Sequence, residues 1–158
     1  MIEIREVTKK YGKFTAVDKL SMTVDKGSVY GLVGYNGAGK TTLLKTVAGI
    51  YRADGGSVTV DSVDVFDSAD VKRRMFYVPD DLYFNYNSSI EKMAKFYAGY
   101  YPKFSFETLD KLCGVFKLDK TARINSFSKG MQRQAAMILG MSTLPEILLL
   151  DESFDGLD

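Results

Sequence analysis

The 158-residue sequence contains no histidine, and so lacks the side chain that most often serves as a base or metal ligand near neutral pH. Its single cysteine, Cys113, excludes an intrachain disulfide and suits a reducing compartment. No apolar run approaches the ~20 residues needed to cross a bilayer, so any membrane role is expected to be peripheral or through a partner. The charges nearly cancel, with 21 Lys and Arg against 20 Asp and Glu for a net +1. That balance leaves no electrostatic footprint for nucleic acid, and none is expected as a partner. Charged and apolar residues alternate from the second position, so no leading signal peptide is expected. The remaining composition, 46% hydrophobic and 26% charged, is that of an ordinary domain large enough to bury a core.

Against this plain background one stretch stands out, Gly34-Tyr35-Asn36-Gly37-Ala38-Gly39-Lys40-Thr41-Thr42. It matches G-x-x-x-x-G-K-[ST], follows the apolar run Val29 to Val33, and opens the helical pattern from Leu43 to Ala48. Its glycines permit positive φ and close backbone approach, so successive N–H groups can wrap a phosphate chain at the positive end of a helix. In such a loop Lys40 reaches the β and γ phosphates, and the Thr41 hydroxyl ligates Mg²⁺.

Taken in order, residues 2–7 read as a strand with one wet face, and 9–13 as a turn. Leu20, Met22 and Val24 alternate as a second half-buried strand, which is expected to pair antiparallel with the first. The near-continuous apolar run 29–33 is expected inside a parallel sheet. Val58 and Val60 mark a further strand, and Met75 to Val78 another, stopped by Pro79-Asp80-Asp81. Residues 70–74 form a short charged segment between them.

The texture then becomes helical. Ser88 and Glu91 can form a capping box before Ile90, Met93, Ala94 and Tyr97, which follow helical spacing. Leu109, Leu112, Cys113 and Phe116 repeat that spacing, with Ser105 as cap. This part is rich in aromatic residues: Tyr83, Phe84, Tyr86, Phe96, Tyr97, Tyr100, Tyr101, Phe104 and Phe106. About half of them are expected in the core, leaving the rest to an apolar patch that docks a protein. Ser128 is expected to cap a helix running through Met141, which makes a second place where free N–H groups could meet an anion. Ile147 to Leu150 then reads as a buried parallel strand delivering Asp151 and Glu152 at its carboxyl end, where open α/β sheets bind ligands. Adjacent strand residues face opposite sides, so the two carboxylates take different tasks. Asp151 suits the Mg²⁺ shell, and Glu152 suits the water that attacks the γ-phosphate.

These residues together resemble the nucleotide-binding domain of ATP-binding-cassette (ABC) transporters, in particular export-type subunits whose membrane partner is a separate chain. The likeness runs from Ile2 to Asp158 and rests on four motifs in the family's order. They are the phosphate loop at 34–42, the signature-like Ser128-Lys129-Gly130-Met131-Gln132, Asp151-Glu152 after its strand, and Phe154-Asp155-Gly156-Leu157-Asp158 as a D-loop. The resemblance implies an α/β P-loop NTPase fold with an amino-terminal antiparallel β element and an inserted helical subdomain. Its parts would be a nucleotide-binding core at 1–80, a helical subdomain at 81–126, and the signature helix with the Walker B strand at 127–158.

The resemblance also implies an ATP hydrolase with ATP and Mg²⁺ as cofactors. Two domains would pack head to tail around ATP. One copy would bring Asn36, Gly37, Ala38, Gly39, Lys40, Thr41, Thr42, Asp151 and the catalytic Glu152. The other would place Ser128, Gly130 and Gln132 against the γ-phosphate. Tyr11 would stack on adenine and Val17 would pack near the ribose. The domain would lie in the cytoplasm, peripheral on the inner face of the membrane, and would drive a transmembrane subunit.

The sequence departs from the family's pattern in several places. Lys129 and Met131 interrupt the usual Leu-Ser-Gly-Gly-Gln signature, and Ser153 stands where proline is usual. Asp80 occupies the position of the glutamine loop and is assigned to the metal with Thr41 and Asp151. The carboxyl-terminal strands, including one whose end holds a switch histidine, are missing after the D-loop. In the related fold that strand lies between the phosphate-loop strand and the Asp151 strand. Two other functions are compatible with the residues: a noncatalytic or truncated nucleotide-binding fragment, and a soluble ABC ATPase acting on ribosomes or nucleic acid.

Overall fold

Backbone pairing at the amino terminus begins with β1 (Ile2–Tyr11), whose Ile2, Ile4 and Val7 are buried. The computed structural model describes residues 1–152, so Ser153 and the D-loop assignment at 154–158 lie outside the described residues. The chain divides into two units, Met1–Lys72 and the part from Arg73 on.

In the first unit β2 (Phe14–Val24) runs antiparallel to β1, from Ile2↔Val24 to Tyr11↔Phe14. The expected antiparallel element is therefore present, but the turn is only Gly12-Lys13 and not residues 9–13. Irregular register between Ile4 and Lys10 re-phases the strand, and cross-strand pairing still holds Lys9 and Lys10 in the ladder despite their weak strand preference. On the other edge of β1 lies β3 (Gly55–Val60), which buries Val58 and Val60. It turns through Asp61 and Ser62, both at positive φ, into the short β4 (Val63–Asp64), as a two-residue hairpin loop requires. The sheet order is β2-β1-β3-β4. Two helices complete the unit, α1 (Lys40–Val47) and the single turn α2 (Ala69–Lys72) within the charged segment.

The expected strand at 29–33 is not observed. Those residues join none of the strands, and Val29 and Val33 are 102% and 99% exposed. An apolar run becomes a strand only where a neighbour satisfies its N–H and C=O groups, and no described strand pairs with this one.

The second unit is built on a parallel pair, β5 (Met75–Val78) and β6 (Ile147–Leu150), in register from Met75↔Ile147 to Val78↔Leu150. The helices α3 (Ile90–Ala98), α4 (Phe106–Phe116) and α5 (Lys129–Ser142) surround a core of Ile90, Met93, Leu109, Ile124, Ile138 and Leu139. Ala136 of α5 packs with Phe76 and Val78 of β5. Ser105 and Ser128 cap α4 and α5 as expected, accepting from the N–H groups of Thr108 and Met131. At α3 the cap is Ser89, which accepts from Lys92 N–H at 3.3 Å, and not Ser88. The Ser88 hydroxyl instead donates to the Asn85 carbonyl at 2.7 Å, drawn there by the turn that precedes the helix. Tyr97, Tyr101, Phe84 and Phe104 pack against the core, whereas Tyr83, Tyr86, Phe96, Tyr100 and Phe106 are exposed. The share that packs against the core matches the expected half.

Candidate functional site

The phosphate-loop residues lie in the first unit. Gly39 stands at the N-cap of α1 with φ 88°, and Gly37 has φ 86°. A Cβ on Gly39 would sit 2.2 Å from the carbonyl oxygen of Ala16, so the loop comes closer to β2 than any side chain permits. Val17, the next residue of β2, is buried with a methyl on the same contact, so it supports the loop from below. Ala38 N–H donates to the Tyr35 carbonyl at 3.1 Å, closing a turn around Asn36 and Gly37.

Lys40 folds back across this turn. Its Nζ donates to the carbonyls of Gly34 at 2.8 Å and Tyr35 at 3.2 Å. The ammonium thus sits within the arc of the loop at the start of a helix, where anions are favoured. Thr41 is exposed in the first turn. The carbonyl of Thr42 accepts from the Thr46 hydroxyl at 2.7 Å, which steadies that turn from inside. Tyr11 is 46% exposed at the end of β1, with its ring edge-on to Tyr51 at 6.2 Å.

The remaining candidates lie in the second unit. Asp151 and Glu152 follow β6 and differ as their alternation predicts, Asp151 being 2% exposed and Glu152 exposed. Asp151 N–H continues the ladder by donating to the Val78 carbonyl at 3.0 Å. Its carboxylate accepts from the Tyr77 hydroxyl at 2.9 Å. Glu152 has φ 48°, an uncommon backbone for a residue with a side chain.

Asp80 stands two residues beyond β5, and its Oδ1 accepts from Arg133 Nη2 at 2.8 Å. Arg133 Nη1 also donates to the Glu152 carbonyl at 3.0 Å. Ser128 and Gly130 sit at the start of α5, with Ser128 exposed. The Gln132 amide turns back to the Phe127 carbonyl at 3.1 Å and closes that helix end.

Tyr77 and Arg133 are the two residues that sequence reasoning did not single out. Both had a signal: a tyrosine within an apolar strand three residues before Asp80, and an arginine one turn into the signature helix.

The candidate donors for a metal, the Thr41 hydroxyl in the first unit and the Asp80 and Asp151 carboxylates in the second, are hard oxygen ligands of the kind Mg²⁺ prefers. Among the described residues no group of three His, Cys, Asp or Glu side chains gathers to hold a metal ion.

The family model described as "ABC transporter" matches residues 17–155. The ABC transporter ATP-binding protein YtrB of Bacillus subtilis is 30% identical over 158 residues, covering all of this chain and 54% of that protein. The chain therefore spans about half the length of that relative. A solved ATP-binding subunit of an ABC transporter has TM-score 0.89 at 24% identity, covering 99% of this chain and 68% of the other. The ATP-binding cassette MJ0796, solved as a post-hydrolysis dimer bound to ADP and Pi, has TM-score 0.85 at 20% identity, covering 100% and 76%. Likeness at those identities establishes the fold, and the family match over most of the chain establishes the lineage. This chain belongs to the ABC transporter family as part of its nucleotide-binding domain.

Proposed function

We propose that the chain binds ATP with Mg²⁺ and hydrolyses it to energise transport through a separate membrane subunit. The observation carrying this reading is the loop 34–39, closed against Ala16 and Val17, with the Lys40 ammonium inside its arc. An ammonium held on backbone carbonyls at a helix N-terminus is poised to exchange them for phosphate oxygens.

In this reading Asn36, Gly37, Ala38 and Gly39 present backbone N–H groups to the phosphates, together with Thr42 in the first turn. Thr41 and Asp151 hold the Mg²⁺, which when bound neutralises charge on the phosphates. Glu152 orients and polarises the attacking water. Tyr11 offers a partly exposed ring to the adenine, and Val17 lies beneath the loop near the ribose. Ser128, Gly130 and Gln132 serve the γ-phosphate of a second, head-to-tail copy. Dimerisation is supported by the dimeric MJ0796 cassette, which carries ADP and Pi.

In this reading the domain lies peripherally on the cytoplasmic side, against a transmembrane subunit; no described helix is itself long and apolar enough to cross a membrane. The exposed rings of Tyr83, Tyr86, Phe96 and Tyr100 supply apolar surface for that contact.

Calorimetric titration with Mg·ATP and steady-state phosphate release test the proposal. Lys40→Ala is expected to weaken binding at least about 10-fold, and Glu152→Gln to keep binding while turnover falls at least about 100-fold. Absence of Mg·ATP binding by the unmodified chain would overturn the reading.

A further inference from the structure

The side chain of Arg133 connects three elements of the second unit. It leaves α5 five positions after the cap Ser128, and it is only 18% exposed. One guanidinium nitrogen donates to Asp80 two residues after β5, and the other donates to the carbonyl of Glu152 two residues after β6. Because Val78 and Leu150 are register partners, Asp80 and Glu152 occupy equivalent places beyond two paired parallel strands. A planar, always-charged guanidinium can bridge them in a fixed fork, which a lysine cannot reproduce.

The Glu152 backbone gives the bridge a purpose. Its left-handed φ of 48° is unfavourable for a residue with a Cβ and persists only where surrounding contacts hold it. The donor on its carbonyl is one such contact, and the Asp80 carboxylate keeps that donor oriented. An isolated, half-exposed ion pair is worth little as stability, so the geometry is what this pair supplies.

We propose that Arg133 is a positioning residue that fixes the Glu152 backbone for attack on the γ-phosphate, with Asp80 as its counter-ion and not as a metal ligand. This rests on the reading of Glu152 as the carboxylate that polarises water. It also links the signature helix to the hydrolytic residue of the same copy, so a change at the start of α5 reaches Glu152 through one side chain.

The experiment compares Arg133→Gln, Asp80→Asn and the double variant in the full chain, each with its melting temperature checked. Three quantities are measured: kcat and KM for Mg·ATP, the Mg²⁺ concentration giving half-maximal ATP binding, and amide hydrogen exchange across 147–152 without nucleotide. Arg133→Gln is expected to lower kcat about 10-fold with KM within about twofold, because misplacement hurts the chemical step more than binding. Asp80→Asn is expected to lower kcat in the same direction, and the double variant to be no worse than Arg133→Gln. The Mg²⁺ requirement is expected to stay unchanged, and exchange across 147–152 to quicken about threefold in each variant.

A raised Mg²⁺ requirement in Asp80→Asn alone would overturn the proposal in favour of metal ligation, and additive losses in the double variant would overturn the bridge. Exchange that quickens in a chain without ATPase activity would confirm the bridge while refuting the ATPase reading. Unchanged exchange and unchanged kcat in an active chain would refute the bridge alone.

Discussion

The Tyr77 hydroxyl donates to Oδ2 of Asp151 at 2.9 Å, joining the third residue of β5 to the residue that follows β6. Asp151 is 2% exposed, so its carboxylate depends on donors supplied by the fold. Partners that orient a metal-binding carboxylate typically matter 10- to 100-fold in metal affinity. Tyr77→Phe keeps the ring and removes this donor. The Mg²⁺ concentration giving half-maximal ATP binding is expected to rise about 10-fold, with metal-free nucleotide binding little changed. A shift below about twofold would show that Asp151 is oriented without Tyr77.

Gly39→Ala tests the cradle. The added methyl meets the Ala16 carbonyl at 2.2 Å and must also adopt φ near 88°. Left-handed strain alone is about 1–2 kcal/mol, equivalent to roughly 10-fold in a binding constant. Calorimetry is expected to show Mg·ATP affinity reduced by at least that factor. Near-normal affinity would mean that β2 and the loop separate easily.

Gly140 in α5 answers a different constraint. A Cβ there would lie 2.7 Å and 2.9 Å from atoms of the Phe76 ring, which itself packs on Tyr97 and Tyr101. Alanine gains about 1 kcal/mol of helix propensity, while overpacking a buried ring costs about 1–3 kcal/mol. The overpacking is expected to win, so Gly140→Ala lowers the melting temperature by about 3 °C. A higher melting temperature would show that Phe76 has room to turn.

At the start of the β5–β6 pair, Arg74 donates through Nε and Nη2 to Glu146 Oε2 at 2.9 and 2.7 Å, and Lys103 donates to Oε1 at 3.3 Å. Hydrogen bonds from Arg74, then from Lys103, hold the Glu146 carboxyl below its ordinary value of 4.5. A depressed acid contributes stability that is present above its unfolded pKa and lost as pH falls through its folded one. Melting curves of wild type and Glu146→Gln are therefore expected to differ above the ordinary carboxyl value of 4.5 and to converge as the pH falls through the depressed folded value below it. The difference is small because the pair is partly exposed. A gap that widens in acid would reverse the assignment.

Local chemistry made much of this protein legible in its sequence. The phosphate loop, the caps Ser105 and Ser128, and the unlike surroundings of Asp151 and Glu152 all follow from short-range rules. Glycine permits positive φ, serine satisfies orphan N–H groups, and alternation sends neighbours to opposite faces. Those rules act within a few residues and need no knowledge of the rest of the chain.

Tertiary structure decided what depends on partners distant in sequence. Residues 29–33 have the composition of a buried strand, yet a strand exists only beside a neighbour, and no described strand accompanies them. Lys9 and Lys10 were drawn into β1 by their pairing with β2. The bond from Tyr77 to Asp151 spans 74 positions, and the ion pair of Arg133 with Asp80 spans 53. Single residues therefore announced what each side chain is able to do. The parallel register of β5 and β6 and the packing of α5 determined which atoms meet, because contact across such separations is a property of the folded chain alone.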